Sequence, residues 1–397
     1  MFALALTACQ SAVPDAAADK ARAAAEKGTL RRAMDADVKS LDPQKVSDLA
    51  SLRVAADQFD GLTRFDGSGA VVPALAARWL VSADGRVWRF TMDPERRFSD
   101  GTAITASIWA ASFARLRKPA TLAPAASLFD PIAAVMVPDN RTIVIRLHAP
   151  FPALPALLAH PAAAALPLHR IAARGGDWTA DRPMVTSGAY RTRKWVLNRA
   201  LELESSPFAS GRRAQPPRVT WIPIDDPLTG IRAFATNQID ILSEFPASRV
   251  AALRAEFGTA LHNSPSLGTY YFAFNTRRPP FADVRIRRAL AMVVDRDWIA
   301  RNIVGAGVTP ADALVPPDLS SATPRPFWAG WSKTKKQAEA RALLAAAGYG
   351  PARPLVFDIR FNSSAEHRRV AVALAAMWRP LNVEARMFNS EASLHFA

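Results

Sequence analysis

What this chain lacks narrows its chemistry first. It contains one cysteine, Cys9, which excludes an internal disulfide framework and a cysteine-built metal cluster. Its histidines, at 148, 160, 169, 262, 367 and 395, include no pair at the H-x-x-x-H spacing of a zinc site. Ser187 stands in T-S-G-A rather than in a G-x-S-x-G elbow. Gly67–Gly69 has neither the lysine nor the spacing of a phosphate loop. The adjacent carboxylates Asp225 and Asp226 are expected as solvated charges on a turn. Together these absences argue against an enzyme, a resident metal and a cofactor. No apolar run approaches the roughly 20 residues that cross a bilayer.

Acidic residues are scarce too. With 50 Lys and Arg against 35 Asp and Glu, the net charge is +15, which suits nucleic acid or an anionic membrane surface. The arginines are spread along the whole chain, however, and no aromatic-studded basic repeat accompanies them. A basic surface facing anionic lipid therefore fits better than a nucleic-acid footprint.

At 397 residues the chain holds two or three domains with ample core. Thr29–Met34 reads as a strand, and Asp42–Pro43 as a structural turn. Asp48 is placed to cap a helix over Leu49–Phe59 with Leu52, Ala56 and Phe59 on one face. Gly61–Gly69 reads as a strand into a glycine turn, Pro73–Trp79 as a short helix, and Val87–Met92 as an alternating strand. Thr105 is a candidate N-cap for a helix through Arg117. A hairpin is predicted over Val135–Leu147, turning at Asp139–Asn140. Ala149–Leu168 should pack over one end of that domain, and Ser187–Gly188 should turn the chain back. Helices at Lys335–Gly348 and Ala365–Trp378, with strands at Leu355–Phe361 and Val383–Phe388, make a β–α–β run and an α/β lobe.

Thr269–Leu290, TYYFAFNTRRPPFADVRIRRAL, organises the rest. Its opening residues suit a strand buried on both faces, ended by Pro279 and Pro280. Asp283 then stands as N-cap to a helix carrying Val284, Ile286, Ala289, Leu290 and Val293. Upstream come P-x-L-A-x-x-W at Pro73–Trp79, D-G-x-x-W-x-F at Asp84–Phe90 and F-S-D-G-x-x-I-T-A at Phe98–Ala106. Each piece alone is common. In succession, from about Gly28 to the last residue, they resemble the bacterial extracellular solute-binding proteins, family 5, of oligopeptide and dipeptide importers. The chain departs from that pattern at Ala103 and Ser107, where proline and aspartate are usual.

The resemblance implies an α/β fold of the type II periplasmic-binding-protein kind, with two lobes and a sub-domain inserted in the first. The expected division is 28–60 and 181–268 for lobe I, 61–180 for the inserted sub-domain, and 269–397 for an incomplete lobe II. It implies a receptor of an ABC importer that captures short peptides between its lobes and delivers them to permease subunits. The alternative is a related receptor for a nickel complex, haem, an opine or a sugar. Ser47, Asp48 and Leu49 are ligand candidates on this resemblance alone.

Strand alternation puts Tyr270 and Tyr271 on opposite faces, so at most one meets ligand and the other is a core aromatic. Asn275 either pairs with a ligand carbonyl or caps the strand. The context of Cys9, Leu6–Cys9 (LTAC), resembles a lipobox, with residues 1–27 as leader and tether; an ordinary apolar start is the other reading. The expected protein is then a monomer in the periplasm, held to the membrane by its lipid. Relatives in this family continue well beyond the point that matches Ala397. The acidic partner for a peptide amino group, and the return crossover, are therefore expected outside this sequence.

Overall fold

The structure, a computed structural model, describes residues 28–208, 216–262, 268–305, 307–316, 325–362 and 364–390. Cys9 lies outside the described residues. Chain contacts divide the protein into two units, the first ending at Phe245 and the second beginning at Pro246.

In the first unit, β1 (Leu30–Met34) leads through a buried loop into α1 (Leu49–Gln58). Then follow β2 (Thr63–Phe65), β3 (Val71–Pro73), β4 (Ala76–Val81), β5 (Val87–Met92), α2 (Ala106–Leu116), β6 (Ile132–Asp139) and β7 (Thr142–Leu147). After α3 (Leu168–Arg174) come β8 (Tyr190–Val196), β9 (Ala200–Ser205), β10 (Arg218–Pro223) and α4 (Pro227–Ala235). Two four-stranded sheets result, ordered β1-β10-β9-β8 and β4-β5-β7-β6. Only β1 runs parallel to its neighbour.

Alternation explains the second of these sheets. Trp88, Phe90 and Met92 of β5 point inward, where they meet Trp109 and Phe113 of α2 and the ring of Phe129. The first sheet buries Leu201, Leu203, Val219 and Trp221 against Val54 of α1 and Trp178. Residues 154–166 serve both cores: Leu154, Leu158 and Ala162 enter one, Ala164 and Leu166 the other. Thr105 caps α2, its hydroxyl accepting from the Ile108 amide, as its sequence position suggests.

Two local expectations fail in this unit. Pro73–Trp79 is not a helix but the end of β3 and the start of β4. Its amides at Ala74, Leu75 and Ala76 donate to the carbonyls of Leu62, Gly61 and Leu62, so long-range pairing overrides the helix preference of Ala and Leu. Helix α1 buries Ala50, Ser51, Val54, Ala55 and Gln58; of the expected face Phe59 is buried, Leu52 is only partly covered and Ala56 is exposed. Polar Ser51 and Gln58 turn inward because each finds a partner: Ser51 Oγ accepts from the Lys39 amide, and Gln58 Oε1 accepts from the Thr192 hydroxyl. The stretch Asn237–Leu242 forms no strand, and Ile241 makes an isolated bridge to Arg32.

The second unit holds α5 (Val250–Phe257), α6 (Val284–Met292), α7 (Lys333–Ala346), β11 (Leu355–Asn362), α8 (Ala365–Trp378) and β12 (Val383–Ser390). Strands β11 and β12 pair in parallel from Leu355↔Val383 to Asn362↔Ser390, with α8 as the crossover, as the β–α–β pattern predicts. Ile286, Ala289 and Leu290 of α6 pack with Leu344 of α7, Leu374 and Trp378 of α8, and Ile359 and Phe361 of β11. Trp378 also donates its indole N–H to the Leu290 carbonyl at 3.0 Å.

Thr269–Asn275 overturns the expected doubly buried strand. It joins no ladder, because β11 and β12 pair only with each other among the described strands. Its burial is one-sided: Phe272 and Phe274 pack onto the core while Tyr270, Tyr271, Ala273 and Asn275 are exposed.

Candidate ligand-binding surfaces

On the first unit, the chain between the buried loop and α1 brings Ser47, Asp48 and Leu49 together at the surface. Asp48 is fixed by its capping role. Its Oδ1 accepts from the Ser51 amide at 2.9 Å, satisfying one of the free N–H groups of the first turn. Its Oδ2 is buried and has no hydrogen-bond partner. Leu49 is half exposed although it begins a helix whose next residue is fully buried.

A basic cluster that the sequence reading missed belongs to this unit. Arg53 Nη2 donates to Glu244 Oε1 at 2.8 Å, while its buried Nη1 has no partner. Arg32 lies 4.1 Å from the Trp221 ring centroid, with its Nε buried and unpaired. Burial lowers the Arg32 guanidinium from its ordinary value, against the opposing pull of Asp57 at 3.8 Å. Unsatisfied donors in a folded protein call for an external acceptor or water. The signal was present as Arg32 and Arg53, but sequence alone does not show which arginines lose their partners.

On the second unit Tyr270, Tyr271 and Asn275 share one segment, and the expected division of the tyrosines between ligand and core is not what is found. Tyr270 is 52 % and Tyr271 64 % exposed, so neither is a core aromatic. Tyr270 stacks on His367, ring centroids 5.1 Å apart at 26°, and meets Phe272 edge-on. Burial of its inner side and the Glu366 carboxylate push the Tyr270 hydroxyl up to about 12, so it stays a neutral donor and acceptor at any physiological pH. His367 is itself held by a hydrogen bond to Asn362, and its backbone amide lies against the Ser364 cap. It was missed because the link to Tyr270 spans nearly a hundred residues.

Asn275 caps no strand, since none forms at 269–275. Its Oδ1 accepts from the Arg277 amide at 3.2 Å and its carbonyl from the Arg278 amide, so it shapes a turn. It also borders an open hollow of about 340 Å³ with Arg278, Pro280, Phe281, Asp358 and Arg386. Among the described residues no group of three His, Cys, Asp or Glu is arranged to hold a metal ion.

Comparison with known proteins places the chain in a family. The chain is 33% identical over 388 residues to the periplasmic oligopeptide-binding protein OppA of Escherichia coli, covering 92% of this chain and 71% of that protein. Its fold matches the solved structure of the Escherichia coli murein tripeptide binding protein MppA with a TM-score of 0.83 at 31% identity, over 92% of this chain and 75% of the other. It also matches Haemophilus influenzae OppA in complex with the peptide RPPGFSPFR, TM-score 0.81 and 26% identity, over 93% and 77% of the two chains. These are type II periplasmic binding proteins, and the α/β fold expected from the sequence is the fold found. The family model for the bacterial extracellular solute-binding proteins, family 5, matches residues 70–393, and the chain belongs to that family.

Proposed function

We propose that this protein is the solute-capturing receptor of a peptide ABC importer, not an enzyme, and that its ligand is a short peptide. The observation that carries this is the identity to oligopeptide-binding relatives along nearly the whole chain. Peptide capture independent of sequence relies on main-chain hydrogen bonds, as in strand addition, with side chains in hydrated pockets. The groups identified here suit that task. Tyr270 with His367 offers a flat ring and a hydroxyl that never ionises, while Arg32 and Arg53 offer unused N–H groups for carbonyl or carboxylate oxygens. Ser47 and Leu49 supply exposed edge, and Asp48 an unpaired carboxylate oxygen suited to a donor.

In this reading the receptor works as a monomer in the periplasm, tethered through lipid on Cys9, and hands its peptide to permease subunits. Calorimetric titration of the protein as its organism makes it, first stripped of bound solute, tests the ligand class. Tri- to pentapeptides of unrelated sequence are expected to bind with similar affinity, whereas free amino acids bind weakly. Equal indifference to every peptide, with saturable binding of a non-peptide solute, would overturn it. Loss of membrane association in Cys9→Ala, with peptide affinity unchanged, is the expected result for the tether.

A further inference from the structure

The start of α7 presents a combination that the fold does not explain. Phe327 is 63 % exposed, yet its ring sits edge-on to Trp328 at 4.8 Å and to Trp331 at 5.5 Å. Three aromatic rings therefore form one cluster with a face open to water. Large aromatic surface left outside a core marks an interaction site when it is contiguous. The Lys335 ammonium lies 4.1 Å from the Trp331 ring centroid, so the cluster is bordered by charge.

Helix electrostatics make the neighbouring lysines equally unusual. Ser332 caps α7, and Lys333, Lys335 and Lys336 then fill its first turn with no acidic residue among them. The positive end of the helix dipole disfavours cations there, and carboxylates are the stabilising choice. No Asp or Glu stands anywhere between Asp318 and Glu339. Three carboxylates do approach from other elements. Asp295, Asp297 and Asp312 line a hollow with Trp328, Lys333 and Lys336, and Arg325 pairs with Asp312 at 3.4 Å. Lys336 also donates to the Ala329 carbonyl. Lys335, with its ammonium over the Trp331 ring, has no carboxylate partner among its described contacts.

We propose that the Phe327–Trp328–Trp331 cluster and the lysines of the first α7 turn dock this protein on a bilayer surface rich in anionic headgroups. Aromatic rings with a polar edge settle at the headgroup level, and long lysine stems lie along them with the charge in the aqueous layer. A protein partner would ask for a shaped surface with paired carboxylates. Here the Lys335 ammonium lies over Trp331 beside the exposed Phe327 ring, with Lys333 and Lys336 in the same turn beside the carboxylate-lined hollow, and the excess positive charge favours lipid. The contact is peripheral, since no helix among the described residues is long and apolar enough to cross a membrane. It is independent of lipid on Cys9 and of the peptide reading.

The test is sedimentation of the full chain, carrying Cys9→Ser to remove any acyl anchor, with vesicles of phosphatidylcholine alone or mixed with phosphatidylglycerol. Binding is expected to the mixed vesicles and to be weak on phosphatidylcholine. Lys333→Gln/Lys335→Gln/Lys336→Gln should lower the partition coefficient about a hundredfold, from the attraction each lysine has for an anionic surface. Phe327→Ala/Trp331→Ala should lower it with net charge unchanged. A control, Arg368→Gln/Arg369→Gln, removes charge from the exposed face of α8 and should lose far less per charge removed. Circular dichroism melts confirm that each variant is folded. No binding by the parent chain, or equal loss per charge in the control, would overturn the proposal, the latter by showing attraction to net charge rather than to this patch.

Discussion

The carboxylate of Asp42 and the guanidinium of Arg115 meet at 2.7 Å, Asp42 being only 3 % exposed. The pair ties the loop before α1 to α2, and so links the two cores of the first unit. Arg115 also donates to Gln44 Oε1 at 2.6 Å, and the Trp178 indole N–H points at Asp42 Oδ2. Removing one partner leaves the other charge buried. Arg115→Met or Asp42→Asn should therefore destabilise the protein by about 3–5 kcal/mol. The double variant should lose less than the sum of the two. Urea unfolding of the three proteins measures this, and strict additivity would show that the pair carries no coupling.

The second expectation concerns Tyr270 and Tyr271. Because both rings are largely exposed, truncating either should change stability by less than about 1 kcal/mol, as surface substitutions do. Affinity should separate them. Tyr270→Ala and His367→Ala should each weaken peptide binding, because the two rings hold one another in place, and Tyr270→Phe should keep the ring and lose only the hydroxyl's contribution. Calorimetry alongside thermal melts checks both arms. Unchanged affinity in Tyr270→Ala would remove the stacked pair from the site.

A pH effect follows from His160. Burial holds its imidazole below the ordinary value of 6.5, and its Nδ1 accepts a hydrogen bond from the Ala162 amide, which only the neutral ring can do. Above about pH 6.5 the residue is neutral in the folded and unfolded chains, so its contribution is complete. As pH falls below that value the unfolded chain takes up the proton first, and stability drops until the folded value is passed. His160→Asn keeps an acceptor at the same place without the titration. Its melting temperature should fall less between pH 7 and pH 5 than that of the parent, and identical slopes would contradict the assignment.

Much of the fold was legible because it is written locally. Alternation in Val87–Met92, the caps at Asp48, Thr105 and Asp283, and the β–α–β run from Leu355 to Phe388 all depend on residues near one another in the chain. What was not legible depends on distant partners. Residues 73–79 look helical until the carbonyls of Gly61 and Leu62 take their amides. The Tyr270 stretch looks like a buried strand until no described strand pairs with it and only Phe272 and Phe274 reach the core. Among the candidate ligand residues on each unit, Ser47, Asp48, Leu49, Tyr270, Tyr271 and Asn275 came from motif and resemblance. Arg32, Arg53 and His367 emerge only from unpaired atoms and a ring stacking that no spacing reveals.

The glycine at 188 gives a sharper packing test. A Cβ there would lie 2.6 Å from the Gln58 carbonyl carbon and 2.8 Å from the Phe59 nitrogen, both backbone atoms that cannot swing aside. The Gly188 amide also donates to the Gln58 carbonyl at 2.8 Å. Gly188→Ala should push the end of α1 from the β8 return and cost about 1–3 kcal/mol, the usual penalty of overpacking. Gly67→Ala, with open space around it, is the matched control and should melt like the parent.

The most direct measurement is mass spectrometry of whatever solute accompanies the natively produced protein through gentle purification and is released by denaturation. A receptor that grips peptide main chain should release a mixture of short peptides with no common side-chain sequence, in about one equivalent, and the stripped protein should rebind synthetic copies of them. Release of one non-peptide compound, which then rebinds while peptides do not, would contradict the account.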